Sequence, residues 1–137
     1  MDAKVTLPAL LAEVDRARAF LRETVAGVAF SEEDLFRLEL TVTEICINIV
    51  RYAYPDCPGK MSLRIWDEGA VLFVEFVDNG RAFDTRSAPA PTLEALMRGE
   101  RKGGLGIYLA RRLSDSFDYR REDGRNIVKI SKKMPAP

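Results

Sequence analysis

Hydrophobic and polar residues along the 137-residue chain follow a strand period first and a helical period next. Val5 to Leu7 predicts a short opening strand, and Pro8 marks its end. Apolar residues then recur every three or four positions, which predicts an amphipathic helix. The residues of this first stripe are Leu10, Val14, Ala17, Leu21 and Val25.

A second, longer helix is predicted to begin after Ser31 and to end near Ala53. Ser31 is a suitable N-cap because its hydroxyl can accept a hydrogen bond from the backbone N–H of Asp34. The apolar stripe of this helix is predicted to face the core and contains Leu38, Val42, Ile45 and Ile49. A second face carries mainly polar side chains, namely Arg37, Thr41, Glu44, Asn48 and Arg51 or Tyr52.

The rest of the chain predicts a hairpin, a helix and a second hairpin. The first hairpin joins Met61–Ile65 to Val71–Val77 through a turn at Asp67–Gly69. The later elements are a helix over Ile107–Leu113 and strands over Phe117–Arg120 and Ile127–Ile130, joined at Asp123-Gly124. These elements predict an α+β fold in which helices pack on one face of a mixed, mostly antiparallel sheet. We expect one domain over residues 1–137.

Composition and charge narrow the class of protein. Lys+Arg and Asp+Glu both number 21, so the chain lacks the excess of cations that nonspecific nucleic-acid binding requires. Apolar runs end well before the roughly 20 residues of a membrane span, and the N-terminus has no apolar signal segment. We therefore expect a cytoplasmic protein with no direct contact to nucleic acid or membrane. The absence of histidine disfavours zinc sites and histidine-activated nucleophiles.

Glu44 and Asn48 are the first candidate functional pair. Because they are four residues apart on a helix, their side chains project from one face and can address one ligand. An asparagine carbonyl is a suitable ligand for Mg²⁺, which normally keeps waters and phosphate oxygens as its other ligands. Glu44 could orient or deprotonate an attacking hydroxyl. The structural alternative is a solvated helix face.

Asp78 and Gly80 form the second candidate element. Asp78 follows the apolar strand Val71–Val77, where its carboxylate could accept a hydrogen bond from an exocyclic amine. Gly80 would let a base approach the backbone closely because it has no Cβ. The alternative is a hairpin turn at Asn79-Gly80, although the residues that follow make a poor partner strand.

A glycine-rich loop forms the third candidate element. Gly103, Gly104 and Gly106 precede a helical pattern, so backbone N–H groups and the positive end of the helix could bind phosphates. The basic residues just upstream could add charge-assisted contacts, and these are Arg98, Arg101 and Lys102. The alternative is a plain flexible loop. The occurrence of all three elements in this order predicts an ATP site.

The three segments resemble the N, G1 and G2 boxes of the GHKL ATPase/kinase superfamily. They are Glu44-x-x-x-Asn48, Asp78-Asn79-Gly80-x-x-Phe83-Asp84 and Gly103-Gly104-Leu105-Gly106. The short chain, and Arg51-Tyr52-Ala53-Tyr54 after the first segment, are similar to anti-sigma factor serine kinases within that superfamily. One departure is Tyr52, which stands where the superfamily often has histidine.

The resemblance implies a two-layer sandwich of the Bergerat type with a lid over about residues 85–102. It implies that Asn48 holds Mg²⁺, that Glu44 is catalytic and that Asp78 reads adenine. The other implied contacts to ATP or ADP come from Asn48, Arg51, Gly80, Phe83, Arg101, Lys102, Gly103, Gly104, Leu105 and Gly106.

The same resemblance implies a function. The chain would be an ATP-dependent serine/threonine protein kinase and anti-sigma factor that forms a homodimer. It would phosphorylate a STAS-domain anti-sigma factor antagonist and sequester a sigma factor. Two alternatives remain open: a nucleotide-gated protein-binding module without phosphotransfer, and a catalytic domain that acts on a separate histidine-containing domain.

Overall fold

A computed structural model describes residues 1–83, residue 97 and residues 104–136. The predicted lid over about 85–102, apart from residue 97, lies outside the described residues, as does Gly103. The helices are α1 (Val14–Thr24), preceded by a 3₁₀ turn (Leu11–Glu13), α2 (Glu32–Asn48), continued by a π-helical turn (Ile49–Ala53), and α3 (Gly104–Leu113). The strands are β1 (Asp2–Pro8), β2 (Lys60–Glu68), β3 (Val71–Asp78), β4 (Ser116–Glu122) and β5 (Arg125–Lys133).

The strands form one five-stranded sheet in the order β1-β2-β3-β5-β4. Each neighbouring pair among these strands is antiparallel, which confirms the predicted α+β fold with a mostly antiparallel sheet. One row of paired residues crosses the whole sheet and consists of Leu7, Met61, Asp78, Asn126 and Arg121. Because side chains alternate between the two faces of a strand, the members of this row point to the same face.

The helices cover the face of the sheet that carries its buried apolar residues. The predicted stripe of α2 is buried, and so are Val14, Ala17 and Leu21 of α1. The N-cap is confirmed, since the N–H of Asp34 donates to Ser31 Oγ over 3.1 Å. The prediction that Leu10 belongs to the apolar stripe of α1 is wrong, because Leu10 has an extended backbone and is 41% exposed.

Two turns of the sheet are set by residues with positive φ. The first turn lies at Gly69 and Ala70 rather than at the predicted Asp67–Gly69, because β2 continues to Glu68. Gly69 has a φ of 60°, which is the left-handed conformation that glycine adopts without a steric cost. Asp123 and Gly124 have φ values of 50° and 74°, as the predicted hairpin between β4 and β5 requires.

In the part of the chain that the structure describes, no helix has both the length and the apolar character needed to cross a membrane.

Candidate functional site

The end of α2, the end of β3 and the start of β5 enclose one cavity between the helices and the sheet. Its lining combines apolar and polar side chains, namely Ile45, Asn48, Ile49, Ala53, Asp78, Phe83, Tyr119, Asn126 and Val128. Residues from two of the three predicted segments therefore share one cavity: Asn48 from the first, and Asp78 and Phe83 from the second. The volume of this cavity that is open to the centre of a water molecule is only about 10 Å³. This is room for about one water molecule, so a purine would require lining side chains to move.

Asp78 is the last residue of β3 and is only 4% exposed. Its Oδ1 accepts two hydrogen bonds of 2.9 Å, from the N–H of Gly80 and from Asn126 Nδ2. Both of these hydrogen bonds fall on Oδ1 and neither on Oδ2. Burial raises the pKa of Asp78, and this effect is opposed by the two hydrogen bonds and by the charge of Arg121. The site thus contains a buried carboxylate with one engaged oxygen and one remaining acceptor.

Gly80 packs against the π-helical turn that follows α2. A Cβ at this position would overlap the carbonyl oxygen of Ala53 and lie 2.6 Å from its Cβ. The N–H of Arg81 donates to the same carbonyl over 2.9 Å. Glycine is therefore required here by packing between two backbone segments, a reason that the sequence did not reveal. The predicted alternative of a hairpin turn is wrong, because β3 already lies between β2 and β5.

Asn48 is the last residue of α2 and is 4% exposed. Thr41, on the same face of the helix, is 1% exposed, so the alternative of a solvated helix face is wrong. The Asn48 amide nitrogen is buried and has no hydrogen-bond partner in the described structure. Because a buried polar group without a partner costs stability, it is a group that a ligand could satisfy.

Glu44 contacts the third candidate element. It is half-buried, and a Cβ on Gly106 would overlap its carboxylate. Gly106 lies in the first turn of α3, which begins at Gly104 and also contains Leu105. The absence of a side chain at Gly106 therefore lets the Glu44 carboxylate lie against the start of α3. The predicted phosphate contacts Arg101, Lys102 and Gly103 are outside the described residues.

The π-helical turn carries the remaining predicted residues. The ring of Tyr52 stacks on Phe83 with a centroid distance of 4.8 Å and an interplanar angle of 12°. Arg81 Nε donates to the carbonyl of Tyr52 over 2.9 Å. Arg51 is exposed and is not among the described residues that line the cavity. The segment after β3 is thus held against the end of α2 by both stacking and hydrogen bonds.

Sequence reasoning missed three residues around the cavity: Tyr119, Arg121 and Asn126. Asn126 is 3% exposed and pairs with Asp78 in the register of β3 and β5. The available signal was an asparagine directly before the predicted strand Ile127–Ile130, because asparagine is depleted in strands.

The site fits a magnesium ion only if other ligands complete its coordination. The described residues include no group of three or more His, Cys, Asp or Glu side chains that could hold a metal. The Asn48 amide would ligate the ion through Oδ1, whereas its unpartnered Nδ2 is a donor that suits a phosphate oxygen rather than the ion itself. Magnesium commonly keeps waters and substrate phosphates and takes few protein ligands, so this donor set suits an ion that arrives with a nucleotide.

Comparison with known proteins identifies the family. Residues 7–132 match the model of the histidine kinase-like ATPase domain, so the chain belongs to that family. This confirms the predicted superfamily. The serine-protein kinase RsbW of Bacillus cereus strain AH187 is 29% identical over 118 residues, which are 80% of this chain and 74% of that protein. RsbW of Bacillus anthracis matches over the same shares at the same identity.

Solved structures with low sequence identity share the fold. The RsbU and RsbW domains of Rv1364c from Mycobacterium tuberculosis give a TM-score of 0.71 at 17% identity. That match covers 100% of this chain, which spans only 33% of the mycobacterial chain. A chain of the SiaB-SiaC complex from Pseudomonas aeruginosa gives a TM-score of 0.61 at 14% identity, over 97% of this chain and 89% of that one.

Proposed function

We propose that the chain is an ATP-dependent serine/threonine protein kinase and anti-sigma factor of a partner-switching system. Its substrate is a STAS-domain anti-sigma factor antagonist, and it sequesters a sigma factor as a homodimer. Family membership and the 29% identity to serine-protein kinase RsbW support this proposal. The observation that carries it is the single cavity lined by Asn48, with its unpartnered amide, and Asp78, with its remaining acceptor oxygen.

Each residue has a role that its surroundings support. Asp78 Oδ2 accepts a hydrogen bond from the amino group of adenine. The first turn of α3, from Gly104 to Gly106, directs backbone N–H groups at the phosphates. Asn48 holds Mg²⁺, which supplies positive charge to the phosphates when it is bound.

Glu44 acts on the protein substrate. The hydroxyl oxygen of the acceptor serine or threonine attacks the γ-phosphorus, and the bond from that phosphorus to the β–γ bridging oxygen breaks. ADP leaves with the bond's electrons, and Glu44 takes the hydroxyl proton. The product carries an added charge of about −1.5 to −2, which disrupts an interface by repulsion and desolvation. Phosphorylation would therefore release the antagonist from its partner.

Thermal melts test nucleotide binding. Mg-ATP or Mg-ADP at 100 times its Kd should raise the free energy of unfolding by about 2.7 kcal/mol. An unchanged melting temperature at millimolar Mg-ATP would overturn the proposal at its first step.

Transfer from γ-labelled ATP to a STAS-domain antagonist tests the activity. Glu44→Gln should retain nucleotide binding and lose about 10²- to 10⁴-fold in transfer rate, as expected when a general base is removed. Glu33→Gln is the matched control, since it makes the same change in the exposed first turn of α2. Normal transfer by Glu44→Gln would contradict the role of Glu44. Binding without transfer by the wild type would indicate a nucleotide-gated binding module instead.

Copurification and light scattering test the partners. We expect a sigma factor to be recovered with the tagged protein in a nucleotide-dependent manner, and the purified chain to have twice the monomer mass. A monomer that recovers no sigma factor under either nucleotide would contradict this part of the proposal.

A further inference from the structure

Asn126 uses all the hydrogen-bonding capacity of its amide within the protein. Its Nδ2 donates to Asp78 Oδ1 over 2.9 Å and to the carbonyl of Arg81 over 2.8 Å. Its Oδ1 accepts from Tyr119 Oη at 2.7 Å and from Arg121 Nη1 at 3.1 Å, with the N–H of Phe83 at 3.4 Å. An amide has two N–H donors and two acceptor lone pairs, so no donor of Asn126 remains for a ligand.

The bonds of Asn126 determine how Asp78 is presented to the cavity. Asn126 and the N–H of Gly80 both donate to Oδ1, which fixes the plane of the carboxylate. Oδ2 is then the acceptor that an incoming donor meets. We propose that Asn126, held by Tyr119 and Arg121, is the positioning residue of the purine pocket, which makes Asp78 selective for a purine with a 6-amino group. This inference rests on the proposed binding of ATP.

Arg121 extends this cluster to the edge of the sheet. Its Nη1 donates to the carbonyl of Gly80 over 2.7 Å as well as to Asn126 Oδ1. One guanidinium on β4 therefore ties Asn126 to the loop that follows β3, although the residue itself is exposed. The adjacent Arg120 makes no such link and pairs with Glu122 at 2.9 Å. These two neighbouring arginines offer a matched test.

The test compares affinities for Mg-ATP and Mg-ITP, whose base carries a 6-oxo group that accepts rather than donates. Arg121→Gln and Asn126→Ala should weaken ATP binding about tenfold, as expected for a lost buried hydrogen bond to a charged group, and leave ITP binding nearly unchanged. Tyr119→Phe should give a smaller change in the same direction. Arg120→Gln should leave both affinities as in the wild type.

The outcomes separate this inference from the proposed function. If the wild type binds neither nucleotide, the proposed function fails. If the wild type prefers ATP and the Arg121→Gln and Asn126→Ala variants keep that preference, only the positioning role fails. Equal weakening of both nucleotides indicates a purely structural role and also overturns the inference. Because Asn126→Ala could fail to fold, melting of each variant is measured first, and the exposed Arg121→Gln then decides.

The pH dependence of ATP binding is a second readout. The titratable and charged side chains around Asp78 are Tyr54, beyond the end of α2, Arg81 in the following loop, and Tyr119 and Arg121 on β4. Loss of Asn126 removes a hydrogen bond that opposes the raised pKa of Asp78. As the pH is lowered, ATP affinity should therefore begin to fall at a higher pH in Asn126→Ala than in the wild type. Profiles that coincide would count against the positioning role.

Discussion

The two sides of the cavity solve the problem of buried polar groups differently. On the sheet side, Asp78, Gly80 and Asn126 are linked by hydrogen bonds of 2.9 Å, and Arg121 closes the cluster. On the helix side, Asn48 has a buried amide nitrogen without a partner in the described structure. The described residues therefore satisfy the polar groups of the sheet side, whereas on the helix side they leave one donor without an acceptor.

This difference suggests that the two sides of the cavity contribute differently to ligand binding. A satisfied polar network holds its members in one geometry, and an unsatisfied buried group costs about 1–3 kcal/mol until a partner arrives. In the proposed ATP site, the sheet side would select the base before binding, and the helix side would gain most from a phosphate oxygen that accepts a hydrogen bond from Asn48 Nδ2. Substitutions on the sheet side should consequently change the preference for ATP over ITP, and substitutions on the helix side should change the stabilisation by Mg-ATP.

The largest expected effect is the loss of ligand stabilisation in Asn48→Ala. This variant should lose most of the roughly 2.7 kcal/mol that Mg-ATP adds at 100 times its Kd, because it lacks the amide that meets the metal. Without nucleotide it should be about as stable as the wild type, since removal of an unsatisfied polar group and better helix propensity offset the lost volume. Melts of both proteins with and without Mg-ATP check this.

Two results would contradict that account of the helix side. A full Mg-ATP shift in Asn48→Ala would show that its amide does not meet the ligand. A large loss of stability without nucleotide would show that the amide already has a structural partner.

Alanine substitutions at three glycines test whether the close contacts at the two sides of the cavity serve stability or phosphoryl transfer. Gly80→Ala should lower the free energy of unfolding by about 2 kcal/mol, because its Cβ overlaps backbone that cannot move away. Gly106→Ala should cost little stability, since the overlapping Glu44 carboxylate is the end of a flexible side chain, but it should slow phosphate transfer. Gly27→Ala is the control, because a Cβ there meets nothing within 4 Å. Urea unfolding and transfer assays measure these effects.

The reverse ranking would contradict the assignment of a backbone contact to Gly80 and a functional contact to Gly106. Equal stability gains at all three positions would show that the lower conformational entropy of the unfolded alanine variants, rather than these contacts, determines the outcome.

The sequence predicted elements whose signals are local. The period of α2, the cap at Ser31 and the turn at Asp123-Gly124 each depend on neighbouring residues, and the structure confirms them. Leu10 was predicted wrongly because its spacing fits the helical period, whereas the chain after Pro8 is still extended there. The spacing of apolar residues alone does not show at which residue a helix begins.

The missed part of the site depends on distant pairing. Asn126 lies 48 residues from Asp78, and only the register of β3 with β5 makes them neighbours. Likewise, the sequence does not indicate that the backbone of Ala53 occupies the space beside Gly80. A motif can locate the residues that meet a ligand, but the residues that hold them are determined by tertiary packing.

The smallest expected effect concerns the pH dependence of stability on the sheet side. Because burial raises the pKa of Asp78 above its ordinary value of 3.8, the folded protein binds a proton more readily than the unfolded chain does. The ionised carboxylate therefore costs stability above the raised pKa, and that cost is relieved as the pH falls through it.

Asp78→Asn retains an Oδ1 acceptor for Gly80 and Asn126 but cannot ionise. Its free energy of unfolding, relative to the wild type, should thus increase as the pH rises from 3.8. Urea unfolding from about pH 4 to about pH 7 measures this difference, with Asp118→Asn on the exposed part of β4 as the control for loss of a charge. A difference that decreased with rising pH would mean that Asn126, Gly80 and Arg121 outweigh burial, so that the fold favours the ionised form of Asp78.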